Sequence, residues 1–518
     1  MKYTTEKYRT AHLECVIEQP DVPVWETVIT ATFVSPSEKE IVREAYWDGE
    51  NHFKVAYMTD EEGTWTYTVR HGNAVVQSGS IECVPYTGNL DLYRHGFIRV
   101  SENGKYFTYA DGTPFVWLGD THWEFAYRET WDSNYPKMDS MFMGMIDKRV
   151  AQGFNVYQTN LRADTMFGGR EHYFDGDKPN VAFYQNELDR RMHYLADCGL
   201  INAIGLTWQM DADDGIDHLK QLARYIVNRY GSLPLVYTLV GEVAGYDPEK
   251  RQKRIDTFNE LAKYIERIDP YHHLKTAHYT NERPFASYYQ DEPWHSFTLN
   301  QAGHGDYIIS VNDYTEYLEQ YGNKPFVEGE AMYEFVSTLE EMGSRLCTAD
   351  LVRRVAYTTM QVGGAGYTYG AQGIWDCVLE KGKQHSRVNI FNRFDVTWYE
   401  AVEGEGATQM GYLKEFYLNQ KFWQLHHYKT AQESNLFNKK SPLVLVNDEN
   451  SKAILYYFDG CRKQMNLPLA NGTYQVTKFD PRTNAYMRKE DVSVQTGEWM
   501  TPKKEENDDY LVVLEKIK

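Results

Sequence analysis

The chain has 518 residues, 42% hydrophobic and 25% charged, and its 54 Lys+Arg against 74 Asp+Glu give a formal charge of −20. So acidic a balance argues against a general binder of nucleic acid or anionic membranes, and no apolar run approaches the roughly 18 residues of a membrane span. The length accommodates about three domains, or one large barrel with appended modules.

The first residues, Met1-Lys2-Tyr3-Thr4-Thr5-Glu6-Lys7, lack the apolar stretch and small-residue cleavage site of a secretory signal, so the expected location is cytoplasmic. From about residue 14 to 84, short alternating β segments follow one another, among them 27–33, 53–57 and 65–69, with Gly, Asp and Asn turns between them. This pattern predicts an N-terminal β-sandwich over residues 1–90. After Leu92, β runs alternate with long amphipathic helices, which is the signature of a parallel sheet with crossover helices.

Eight β runs can be drawn: 115–119, 155–161, 202–208, 235–241, 275–279, 296–301, 325–329 and 366–369. Between them, 216–230 places Ile216, Leu219, Leu222, Ala223 and Ile226 on one face, and 248–268 carries Phe258, Leu261, Ile265 and Ile268. The predicted fold class is therefore α/β, with a (β/α)8 TIM barrel over 91–430. A helix over 406–425 leads into a last β-rich stretch, read as a small C-terminal β-sandwich domain over 431–518. The six cysteines are scattered without metal-ligand spacing, as reduced buried thiols are.

In such a barrel, chemistry is carried by polar residues that terminate apolar strands. Glu242 ends run four and Glu330 ends run seven. Two carboxylates facing each other across the mouth are what glycoside hydrolysis requires, and the alternative for each is a helix cap or an ion pair with Arg. Aromatic residues make up 15% of the chain, and Trp123, Trp208, Tyr333, Tyr369 and Trp375 are candidate stacking faces for a sugar. Asp120, Asn160, Arg162, His278, Gln301 and His304 are candidate hydroxyl-binding groups. A mononuclear metal at Asp120, His122 and His278 has no firm ligand spacing, so the expectation is no metal and no cofactor. GxSxG, Walker A, HExxH and GxGxxG motifs are all missing from the sequence.

Several of these stretches resemble one family. Phe115-Val116-Trp117-Leu118-Gly119-Asp120-Thr121-His122-Trp123 is similar to the opening WLGDTAW strand of the apiosidase-like barrels. Gln301-Ala302-Gly303-His304 resembles their QSGH, Lys324-Pro325 through Gly329-Glu330 and Tyr333-Glu334 their KPxxxGExxYE, and Gly366 through Trp375 their GHTYGxxGIW. Ala45-Tyr46-Trp47-Asp48-Gly49 and Gly63-Thr64-Trp65-Thr66-Tyr67 resemble the sandwich commonly fused ahead of such barrels.

The resemblance implies a β-glycosidase, with release of the branched pentose apiose as one specificity, acid/base work after strand four and the second carboxylate after strand seven. At strand four the family reads Gly-Gly-Asp, where this chain has Val240-Gly241-Glu242, a carboxyl one methylene longer. The resulting expectation is an exo-acting, retaining hydrolase of small oligosaccharides or plant glycosides, with Glu242 as acid/base and Glu330 as nucleophile. The rival expectation is a non-catalytic carbohydrate-binding or scaffold protein on the same barrel. A homo-oligomer is compatible with the sequence, and the aromatic turn around Trp47 makes the sandwich a candidate wall of the pocket, in the same subunit or a neighbouring one.

Overall fold

The computed structural model describes residues 1–126, 130–132, 139–161, 172–282, 284–304, 311–337, 346–382, 394–429, 441–458, 461–505 and 508–518. The N-terminal part is two sheets packed face to face. One has the order Lys2–Glu6, Ala74–Val84, Gly63–His71, Ile29–Val34, Glu40–Glu44; the other has Thr10–Val16, His52–Met58, Tyr46–Trp47. Alternation explains the packing, because inward residues such as Ile29, Ala31 and Phe33 are buried while those between them are partly exposed. Phe33 stacks on Tyr57 across the two sheets at 5.0 Å.

The central sheet is parallel. Its strands, in chain order, are Trp117–His122, Val156–Asn160, Ile201–Trp208, Leu235–Gly241, Thr298–Gln301, Phe326–Glu330 and Gly366–Tyr369. They correspond to positions one to four and six to eight of the predicted barrel, and all their residues are buried. Such near-continuous apolar burial is what a sheet covered by helices demands.

Position five differs from expectation, because residues 275–279 do not form a regular strand. Single bridges tie Lys275 to Tyr237 of strand four and His278 to Leu299 of strand six, so the run still closes the ring. The cause lies next door, where the pairing of strands three and four slips twice between Ile204 and Thr207 and Leu239 has a φ of +57°. A bulge of this kind bends the strand and breaks the ladder on which a regular neighbour depends.

Helices Met141–Ala151, Asp189–Asp197, Asp217–Tyr230, Arg251–Ile268, Val311–Tyr321, Ala349–Gln361 and Glu405–Asn419 surround the sheet. The last of these ends at Asn419 rather than running to 425, and a single 3-10 turn follows at Phe422–Gln424. The N-terminal sheets dock on helix Asp217–Tyr230 through Arg43, whose guanidinium donates to the carbonyls of Val227 (2.9 Å) and Asn228 (3.0 Å). A buried cation thereby satisfies carbonyls at the negative end of a helix.

C-terminal strands His426–His427, Leu443–Val446, Lys452–Tyr457, Tyr510–Lys516, Gly472–Asp480 and Ala485–Arg488 form an antiparallel sheet in that order. It is fixed to helix Ala349–Gln361 by Arg353 with Asp509 (2.8 Å) and by Tyr357 stacked on Tyr456. Among the described residues, no helix is long and apolar enough to cross a membrane.

Candidate active site

Strand seven carries two glutamates two residues apart, and a regular strand would turn both to one side. The pairing with strand six is not regular there: Asn300 lies opposite Glu328 and Gln301 opposite Glu330, leaving Gly329 as the extra residue. Glu328 consequently turns to Asn300 Nδ2 (2.7 Å), the Ala302 amide (2.9 Å) and the Tyr314 hydroxyl (2.8 Å). Glu330 turns instead to Gln301, at the mouth. A side chain at Gly329 would press its Cβ to 2.5 Å of Leu299, so the bulge requires glycine.

Glu330 is 7% exposed and is surrounded by polar groups. Gln301 Nε2 donates to Oε1 (3.0 Å) and Trp123 Nε1 to Oε2 (3.2 Å). His278 Nε2 lies 3.2 Å from Oε2 and His304 Nε2 3.2 Å from Oε1. The other ring nitrogen of His304 lies 2.7 Å from the Ala331 carbonyl. Burial pushes the Glu330 carboxyl upward, but hydrogen bonds and charge from His278 and His304 outweigh it and hold the group well below the usual carboxylate range.

Glu242 follows strand four with a φ of +52°, a left-handed conformation that costs a non-glycine residue on the order of 1–3 kcal/mol. Its carbonyl accepts from Gly245 N (2.8 Å), closing a tight turn in which Gly245 has a φ of +61°. Just before it, Gly241 lets the Trp208 ring lie against bare backbone, since an added Cβ would come within 2.1 Å of that ring. The Glu242 carboxyl accepts from Gln301 Nε2 (3.2 Å) and from the Tyr246 hydroxyl (3.0 Å), both at Oε1. Burial raises its pKa, and the Glu330 charge raises it further.

A single amide nitrogen of Gln301 thus touches both carboxylates, which limits the gap between their facing oxygens to about 6.2 Å. The two groups are poised oppositely, one held ionised and the other held toward its protonated form. Such a pair can deliver a proton and attack an electrophilic carbon within one pocket.

Trp123, Trp208, Tyr333, Val336 and Trp375 form their own apolar cluster, with Met210 packed against it. Trp123 meets Trp208 edge to face at 5.9 Å and His278 at 5.0 Å, while Tyr333 packs on His304 at 4.6 Å. The Trp208 Nε1 donor is buried and has no hydrogen-bond partner among the described residues. Burial, followed by the Glu330 charge, pushes the Tyr333 hydroxyl well above its ordinary pKa, so it stays protonated.

The structure therefore brings Glu242, Glu330, Trp123, Trp208, His278, Gln301, His304, Tyr333 and Trp375 into one neighbourhood. Asn160 is anchored at the end of strand two, its amide donating to the Thr207 carbonyl (2.9 Å). Two sequence candidates are turned elsewhere. Asp120 is fully buried against Arg149 Nε (2.5 Å), and Tyr369 donates its hydroxyl to Glu334 (2.6 Å). Arg162 lies outside the described residues.

The three metal candidates have three different partners, with Asp120 on Arg149, His122 on the Tyr157 hydroxyl (3.0 Å) and His278 beside Glu330. The aromatic turn around Trp47 meets the barrel at helix Asp217–Tyr230, its carbonyl accepting from the Tyr225 hydroxyl (2.8 Å) and its ring lying under Lys178. Sequence reading missed Glu328 and Tyr246. An aromatic four residues beyond a candidate acid, with a glycine between, was the available signal for Tyr246.

The family described as "Apiosidase-like, catalytic domain" matches residues 101–424, and a domain of unknown function, DUF5060, matches residues 4–72. No curated protein matches the chain. Among solved structures, one named "Glycoside hydrolase" is 20% identical with a TM-score of 0.69, covering 83% of this chain and 99% of its own. A candidate glycoside hydrolase from Bacteroides vulgatus is 15% identical with a TM-score of 0.73, covering 99% and 100%. A family 5 glycoside hydrolase from the same organism is 18% identical with a TM-score of 0.66, covering 82% and 94%. At these identities the solved structures bear on the fold.

Proposed function

Since the chain belongs to the apiosidase-like family of glycoside hydrolases, we propose that it is an exo-acting β-glycosidase of small oligosaccharides or plant glycosides, working with retention. The observation that carries this reading is the Gln301 amide shared by an ionised Glu330 and a Glu242 whose pKa is raised. Retaining pairs stand roughly 5–5.5 Å apart and inverting pairs roughly 6.5–9.5 Å. The shared Gln301 amide keeps one oxygen of each carboxyl within about 6.2 Å of the other, which supports a closely set pair.

In the proposed reaction a Glu330 oxygen attacks the anomeric carbon while the glycosidic C–O bond breaks. The departing oxygen takes the proton from Glu242. Water then attacks the same carbon and passes a proton back to Glu242, the bond to Glu330 breaks, and both groups return to their starting forms. Two inversions give net retention.

Trp123 and Trp208 supply faces for the bound sugar, and the Trp208 indole N–H, His304 and Asn160 supply contacts for its hydroxyls. The depth of Glu330, walled by buried aromatic rings, suits a terminal sugar rather than the middle of a chain.

The experiment is sugar release by wild type and Glu330→Gln from a panel of aryl and plant glycosides that includes a β-apioside, with the first-formed anomer read by NMR. Release by wild type alone, with the β anomer first, supports the proposal, and the preferred glycoside identifies the sugar. An inverted first product removes the retaining mechanism. A folded wild type that releases nothing while binding sugars points to the non-catalytic rival.

A further inference from the structure

Tyr246 is 66% exposed, the most exposed Phe, Tyr or Trp side chain among the described residues. An aromatic ring left in water forgoes burial that its size would reward. This one is nonetheless held rigidly. The amides of Ala244 and Gly245 donate to Thr280 Oγ1 at 3.2 and 3.1 Å, the turn closes on the Glu242 carbonyl, and the hydroxyl is fixed to Glu242 Oε1 at 3.0 Å. A flat face presented to solvent at fixed orientation is a preorganised contact surface.

Its position relative to the reaction follows from chemistry. The oxygen that Glu242 protonates must lie within about 2.6–3.2 Å of that carboxyl. Tyr246 is already at that carboxyl, so whatever departs with the oxygen begins close to the Tyr246 hydroxyl and extends toward solvent beside its ring. The neighbouring groups are polar: Arg251 Nη2 donates to Glu282 Oε2 (2.6 Å), the Tyr288 hydroxyl donates to Glu282 Oε1, and the Glu282 charge is felt at Tyr246. An aromatic face followed by a carboxylate, a guanidinium and a phenol is the chemistry that recognises a hydroxylated ring.

We infer that Tyr246 is the platform of a leaving-group subsite that takes a sugar ring, and that its hydroxyl positions Glu242. The inference rests on the glycosidase reading above. Its test uses two substrates that share the released sugar: the β-glycosyl fluoride, whose leaving ion has no ring to stack, and the matching β-linked disaccharide.

Tyr246→Ala is expected to lower kcat/KM on the disaccharide roughly ten-fold more than on the fluoride, mainly through KM. Tyr246→Phe keeps the ring, so the disaccharide KM stays within about two-fold. Its alkaline limb moves to higher pH, because the lost hydrogen bond stabilised ionised Glu242 while Gln301, Glu330 and His278 still face that group.

Equal losses on both substrates in Tyr246→Ala, or no loss on either, overturn the platform while leaving the hydrolase intact. A wild type that cleaves neither substrate overturns the glycosidase reading, and the subsite with it.

Discussion

Asp120 in strand one and Glu334 on the loop after strand seven are buried as deeply as Glu330 at the end of strand seven, yet the partners differ in kind. Asp120 meets Arg149 at 2.5 Å, and Arg149 is held in turn by Gln152 and the Val402 carbonyl. Glu334 accepts from the Tyr369 hydroxyl and from the Gly406 amide at the start of helix Glu405–Asn419, where Gly404 and Gly406 leave room for it. These contacts join strands to helices. A guanidinium cannot lose its proton, so it immobilises the charge of its carboxylate. Glu330 is instead surrounded by two imidazoles, an amide and an indole, which hold it ionised without neutralising it permanently. Burial is common to both quadrants; the partner decides whether a buried carboxylate supports the fold or does chemistry.

Substitutions sharpen this contrast because the two quadrants fail in different measurements. Glu330→Gln is expected to lower kcat/KM by about 10⁴-fold or more, with a smaller loss in urea unfolding than Asp120→Asn, because no guanidinium is left stranded. Loss of fold alongside activity would place Glu330 with Asp120. Glu242→Gln is expected to cost about 10²–10⁴-fold on a disaccharide, and far less on a glycosyl fluoride, whose leaving group needs no proton. The wild-type profile falls on the alkaline side as Glu242 loses its proton, from a pKa raised above the ordinary value, and this limb should vanish in the variant. Asp120→Asn reverses the pattern. It strands the fully buried Arg149, so urea unfolding should report a loss of about 3–5 kcal/mol, with kcat per folded molecule unchanged.

Much of this arrangement was legible in the sequence because parallel barrels bring strand ends together, so polar residues closing apolar runs identified Glu242, Glu330, Gln301 and His278 as neighbours. Backbone irregularity was not legible. Nothing in the pattern of run five signalled that a left-handed Leu239 would reduce it to two bridges, or that Gly329 would split Glu328 from Glu330. Asp120 closes an apolar run just as Glu330 does, and Tyr369 resembles any rim aromatic. Their turn away from the carboxylates is set by Arg149 on a following helix and by Glu334 on another loop. Helix phase and rotamer choice decide such contacts, and neither is written in strand periodicity.

The smallest expected effect tests how the structural quadrant tolerates its own buried acid. Tyr369→Phe removes one donor to Glu334 and leaves the Gly406 amide, a loss of about 1.5–3 kcal/mol when the acceptor is ionised. Burial already holds the Glu334 pKa above its ordinary value of 4.5, and the Tyr369 hydrogen bond pulls against that rise. For an acid raised in the folded state, stability is fullest below the unfolded pKa and falls as pH rises through the folded one. Without the phenol the folded pKa moves higher still, and that fall extends further toward neutral pH. The variant should therefore unfold in urea almost like wild type near pH 4, and show its full deficit above the new folded pKa. An equal deficit at both ends would assign the loss to packing around the ring, because a missing methyl-sized contact does not titrate and a missing hydrogen bond to a carboxylate does.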